Sequence, residues 1–256
     1  TPLTGPWVSR FTRISLRILS LIAPNDLLNV APYGSCDEGP NALDWLDTSD
    51  GTTIKQSCLE HDGLERCWYM YTPVLAAKHG PAPLVVHLHG AGGCASLPAT
   101  GWGTVAQDNG FVVVWPQGTR HPPSFLPDFV PDFVVDLIFG GDLATWNDGS
   151  GLFDAEDAEI DDMGFLKAMI PNILESNPQL LDPSRVYLSG HSNGAVMTQR
   201  FALQTTGIIA AGVAMSGAGL PSDPEWSPGG EPIEGYQATP IILVSGTEDN
   251  VVPFDE

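Results

Sequence analysis

The residue with the clearest chemical potential is Ser192, set in Gly190-His191-Ser192-Asn193-Gly194. Glycines two positions before and after a serine let a strand turn sharply into a helix. Such a turn strains the serine backbone and exposes its hydroxyl. The run Arg185-Val-Tyr-Leu-Ser189 reads as the strand before it, and Asn193–Thr205 as the helix after it. That context favours a nucleophile for acyl transfer over a tight turn with a capping serine. The helix N-terminus also favours negative charge beside the hydroxyl.

Acyl transfer passes through a tetrahedral oxyanion, which needs N–H donors already in place. One expected donor is the amide of Asn193. The second is expected in His87-Leu-His89-Gly90-Ala91-Gly92-Gly93, from the amide of Ala91 or Gly92. Glycines there let backbone approach substrate closely. An acid is expected from Gly246-Thr-Glu-Asp249, with Asp249 preferred to Glu248. The base is the gap, because all six histidines precede Asp249. His191 adjoins the serine but should point away from it. His89 should brace the glycine-rich loop, and His61, His79, His87 and His121 stand in no motif. Without an imidazole the serine lacks its general base. The expectation is that the chain stops before its catalytic histidine; a chain that truly ended here would read as a dead hydrolase.

Other residues bound the setting. Cys58 and Cys67 flank His61-Asp62-Gly63-Leu64, and Asp-Gly between two strand-like runs signals a two-residue hairpin turn. In that register Cys58 faces Cys67 in a non-hydrogen-bonded pair, close enough for a disulfide. A bridge implies an oxidising compartment; Cys36 and Cys94 are left over, with weaker grounds for pairing. The acidic stretch from Asp154 to Asp162 lacks the spacing of a calcium loop and reads as a solvated face with a helix cap. The net charge of −21 argues against nucleic-acid phosphates or an anionic membrane surface as partners. No apolar run approaches the roughly 20 residues of a transmembrane segment. The stretch from Arg10 to Ala23 is basic and then apolar, a surface helix or a signal remnant. Thr1 in place of Met suggests processing or a fragment.

The elements that must position these residues alternate. Strand-like runs lie at 53–59, 66–72, 84–88, 111–115, 185–189, 210–215 and 241–245. Most are continuous apolar runs, as in a parallel sheet buried on both faces. Helical patterns fall at 97–109, from Met163 to Leu174, and at 193–205. Asp161 or Asp162 should cap the second, and Pro171 should kink or divide it. Together these indicate a mostly parallel twisted sheet with helices on both faces. Two stretches break the pattern, the Phe-rich 121–145 and the Pro-, Gly- and Glu-rich 222–238. Both read as insertions over the sheet, the first as a lid.

From about Gly63 to Pro253 the chain resembles the polyhydroxybutyrate depolymerase and feruloyl esterase group of α/β-hydrolases. The resemblance rests on an ordered succession: Leu88-His-Gly90, Thr100-Gly-Trp102, Trp115-Pro-Gln-Gly-Thr119, Trp146-Asn-Asp-Gly149, Asp161-Asp-Met-Gly-Phe165, Asp182-Pro-Ser-Arg-Val186, the Ser192 motif, and Gly246 to Pro253. It implies a secreted serine esterase with no metal or organic cofactor, acting on a polyester or a polysaccharide-linked ester. It also implies Ser192 as nucleophile and Asp249 as acid. Leu152-Phe-Asp replaces the cysteines many relatives carry after the Trp-Asn-Asp-Gly segment, which leaves substrate choice open. Residues 1–51 then read as an N-terminal extension and 52–256 as the hydrolase domain without its last strand and helix. The alternatives are a serine peptidase of the same fold and a catalytically dead binding protein.

Overall fold

In a computed structural model of the chain, the structure describes residues 48–95, 99–121, 143–150, 154–217 and 237–248. Thr53–His61 (β1) and Leu64–Thr72 (β2) form the expected hairpin. Asp62 and Gly63 both take positive φ, 50° and 76°, the conformation that matches a two-residue turn to strand twist. His61 faces Leu64 and Cys58 faces Cys67, and the two cysteines are disulfide-bonded with Cα atoms 4.0 Å apart. Cys94 is also disulfide-bonded, and Cys36 lies outside the described residues.

The chain continues through Val74–His79 (α1), Ala82–Leu88 (β3), Ala99–Asn109 (α2) and Val112–Pro116 (β4). Thr119–His121 (β5) and Leu143–Thr145 (β6) follow, then Asp154–Asp157 (α3), Asp162–Ser176 (α4) and Leu181–His191 (β7). Asn193–Gln204 (α5), Ala211–Met215 (β8) and Ile241–Val244 (β9) complete the described elements. Seven strands form one sheet in the order β1-β2-β4-β3-β7-β8-β9. The β1–β2 and β2–β4 pairs are antiparallel, and the rest are parallel. Every residue of β4 is buried, which explains its unbroken apolar run.

Alternation along β4 sends side chains to two cores. Val112 and Val114 join Phe165, Ile170 and Met197 from α4 and α5 on one face. Val113 and Trp115 join Ala106 and Trp102 from α2 on the other. Helices therefore cover both faces, as expected. Burying a side chain such as Phe165 contributes about 1.5–3 kcal/mol.

Two expectations change. Of the two outcomes expected at Pro171, division does not occur, because α4 runs unbroken through it. Met163, Leu166, Ile170 and Ile173 hold both halves against one core, which outweighs the hydrogen bond that proline removes. The Phe-rich stretch is also shorter than its composition suggests. Its C-terminal end, Leu143–Thr145, is a buried strand paired antiparallel with Thr119–His121. Alternation cannot reveal a three-residue strand. The lid expectation for 122–142 and the second insertion at 218–236 lie outside the described residues.

Candidate active site

Ser192 lies between the end of β7 and the start of α5, at the N-cap position but with no side-chain cap bond, and has φ 53° and ψ −121°, a region that non-glycine residues rarely occupy. The geometry leaves no room for side chains on either flank. A Cβ on Gly190 would lie 2.0 Å from the Gly194 carbonyl oxygen, and one on Gly194 would lie 2.5 Å from that of His89. The Ser192 N–H donates to the Met215 carbonyl at 2.9 Å, tying the turn to β8.

The loop after β3 sits against this turn. A Cβ on Gly90 would be 3.2 Å from Ser192 Cβ and 3.1 Å from His191 Nδ1. Of the two loop amides considered as oxyanion donors, Gly92 donates to the Ala144 carbonyl at 2.9 Å. Among the described residues the Ala91 amide meets no acceptor. Asn193, as the first residue of α5, has no acceptor within its own helix.

His89 braces the loop. Its Nε2 accepts from the Gly118 N–H at 3.0 Å, so Nδ1 carries the proton and donates to the Gly90 carbonyl at 2.8 Å. Burial lowers its pKa to about 4. His87 bonds Ser189 Oγ at 2.7 Å, and burial lowers its pKa to about 3. Both rings are neutral and engaged. Gln117 adds a further tie, its Oε1 accepting from the Ala95 N–H at 2.9 Å.

A segment on β6's far side joins the elbow to the rest of the fold. Trp146 donates its indole N–H to the His89 carbonyl at 2.9 Å. Its backbone N–H donates to Asn193 Oδ1 at 2.8 Å, and its carbonyl accepts from Asn193 Nδ2 at 2.9 Å. Asn147 accepts from Arg200 Nη1 through its backbone and side-chain oxygens, and its N–H donates to Asp162 Oδ2 at 2.7 Å. Asp148 Oδ2 accepts from Asn193 Nδ2 at 2.6 Å. Of the two candidate caps for α4, Asp161 accepts from the Gly164 N–H, while Asp162 is buried against Arg66.

A family model described as phospholipase/carboxylesterase matches residues 70–256. The chain belongs to this family. Its members adopt the α/β-hydrolase fold, and the mostly parallel sheet of this chain, with helices on both faces, is of that kind. No curated protein matches the sequence significantly. Among solved structures, S-formylglutathione hydrolase from Staphylococcus aureus is 12% identical with a TM-score of 0.50, covering 78% of this chain and 79% of that one. Acetyl xylan esterase from Aspergillus awamori is 19% identical with a TM-score of 0.45, covering 63% of this chain and 51% of its own. A ferulic acid esterase is 13% identical with a TM-score of 0.44, covering 65% of this chain and 60% of its own. At 12% identity the likeness to the S-formylglutathione hydrolase is one of fold alone. This chain spans about half the length of the acetyl xylan esterase.

In this carboxylesterase-family chain the structure brings Ser192, Asn193 and the Ala91 loop together. Asp249 lies outside the described residues; Glu248 stands exposed in the turn after β9. Sequence reasoning gave Arg66, Asn147 and Asp148 no role at the site and weighed Asp162 only as a helix cap. Their signal was polarity, since Trp146-Asn-Asp-Gly149 follows a buried strand where turn chemistry alone would suffice. At Cys58, Glu65 and Cys67 three potential metal-binding atoms lie close together, but both sulfurs belong to the disulfide. No helix among the described residues is long and apolar enough to cross a membrane.

Proposed function

We propose that the protein hydrolyses carboxylic esters through an acyl-enzyme on Ser192. The single observation that carries this is the Ser192 backbone, held at positive φ between glycines that admit no side chain. Strain of that kind persists only where surrounding structure enforces it, and it aims the hydroxyl out of the turn. In this reading Ser192 Oγ attacks the ester carbonyl, and the amides of Asn193 and Ala91 receive the oxyanion. The engaged Gly92 amide makes Ala91 the better of the two loop candidates. Asp249 orients the base. His87 and His89 are committed to structural bonds, and His61 bonds Asp161 at 3.0 Å. His121 bonds Thr119 Oγ1 at 2.8 Å. These four rings are engaged elsewhere, and the reading assigns the base to none of them. Water then releases the acid.

The substrate class is a carboxylic ester, with a hydroxyalkanoate polyester or a feruloyl or acetyl ester on polysaccharide as the finer candidates. A secreted location is proposed with it, supported by the disulfide at Cys58 and Cys67. The test is a panel of nitrophenyl and polymeric esters on the full-length protein, with fluorophosphonate labelling located by peptide mass. Label on Ser192, and turnover lost in Ser192→Ala, are expected. Robust turnover in Ser192→Ala would overturn the reading. A 256-residue chain with Ser192-dependent turnover would place the base among the upstream histidines, with His191→Ala as the variant to examine.

A further inference from the structure

Asn193 is 1% exposed, and every polar atom of its side chain is bonded. Its carboxamide oxygen accepts from the Trp146 N–H, and its nitrogen donates to the Trp146 carbonyl and to Asp148 Oδ2. The Trp146 pair, one donor and one acceptor, already sets which end of the carboxamide is oxygen and which is nitrogen. The bond to Asp148 takes the nitrogen's second hydrogen and adds a third anchor with a charged acceptor.

Asp148 is itself anchored. It is 1% exposed, its Oδ1 accepts from the Ser150 N–H at 2.9 Å, and its own N–H donates to the Trp146 carbonyl at 2.9 Å. Among the described residues no cationic side chain pairs with it. A buried carboxylate without a cation costs stability, and burial pushes its pKa up. Packing alone does not call for such a group. It has two acceptor demands, one from Ser150 and one from Asn193, on two different oxygens. Asparagine would meet only one of them and turn a donor toward a donor at the other.

We propose that Asp148 is a positioning residue: through the Asn193 side chain it fixes the first residue of α5 and aims that residue's amide N–H at the oxyanion. The proposal rests on the reading of Ser192 as nucleophile. The Asn193 amide is bound to a side chain locked at three points, so the donor direction is set before substrate arrives. Preorganised donors are where oxyanion stabilisation comes from.

The test compares Asp148→Asn, Asn193→Ala, the double variant and Ser192→Ala in the full-length protein, using nitrophenyl acetate. Loss of a single oxyanion donor costs about 100- to 1,000-fold in kcat, so a misaimed one should cost roughly 10- to 100-fold with KM changed less than about threefold. Asn193→Ala should show a similar loss, and the double variant should lose no more than Asn193→Ala alone. Multiplicative losses, or an Asp148→Asn kcat within about twofold of the parent, overturn the proposal. Turnover that survives Ser192→Ala overturns the nucleophile reading instead. If Asp148→Asn does not fold, Asn193→Asp serves. Its carboxyl can bond Asp148 only while the two share a proton, so kcat should fall as pH rises where the parent holds steady. Parallel pH profiles would overturn the proposal equally.

Discussion

The Arg66 guanidinium meets Asp162 Oδ1 at 2.5 Å with both side chains sealed from solvent, 3% and 0% exposed. Asp162 is the first residue of α4, and its other oxygen holds the Asn147 N–H. One ion pair thus joins the β1–β2 hairpin, the helix packed beside it and the segment that reaches Asn193. The Arg66 guanidinium also lies 4.2 Å from the centre of the Phe165 ring. Removing one partner leaves an uncompensated buried charge. Arg66→Met should cost about 3–5 kcal/mol, and the double variant Arg66→Met with Asp162→Leu should recover part of it. Urea denaturation checks both, and equal losses would contradict the pairing.

The elbow glycines allow a sharper test. Gly190→Ala places a methyl 2.0 Å from the Gly194 carbonyl oxygen, where only backbone could yield. The cost should be about 3 kcal/mol or more, larger than an ordinary glycine-to-alanine change. Gly207→Ala is a useful contrast, since open space surrounds that position and only its φ of +72° resists a side chain. It should cost about 1–2 kcal/mol. Equal melting losses for the two variants would count against the observed turn.

His87 predicts an acid-sensitive stability. Its pKa falls from 6.5 to about 3 on folding, chiefly through burial. The unfolded chain therefore binds the proton first, and stability is lost as pH falls below the unfolded value. Loss continues down to the folded value. Between about pH 7.5 and about pH 5 this one residue should cost about 2 kcal/mol. His87→Gln should flatten that acid limb relative to the parent in thermal melts at a series of pH values. Identical slopes would show that folding leaves the proton affinity of His87 unchanged.

The hairpin disulfide closes a short loop, Cys58 and Cys67 being 9 positions apart. Loop-closure entropy gives it about 2.5 kcal/mol. Cys58→Ser with Cys67→Ser should lower the denaturation midpoint accordingly, without disturbing the Asp62-Gly63 turn. Non-reducing peptide mapping of natively produced protein should find the two cysteines linked. Free thiols there would remove the support for a secreted location.

By itself the sequence determined whatever is local. The Asp-Gly turn set the register that placed Cys58 on Cys67, because a two-residue loop leaves no slack in the pairing. The strand, Gly190-to-Gly194 motif and helix around Ser192 were legible because steric exclusion acts between near neighbours in the chain. That His89 braces the loop was legible, but strand order, the ring's partner Gly118 and the occupation of Gly92 by Ala144 depended on the tertiary structure. So did the division of labour between Asp161 and Asp162. Adjacent aspartates look alike in sequence, yet one faces solvent and caps a helix while its neighbour is buried against Arg66, 96 positions away. Burial and long-range partners decide which polar group is held, in what direction and at what pKa. Those are properties of the packed chain, since desolvation and hydrogen-bond geometry exist only once distant segments have met.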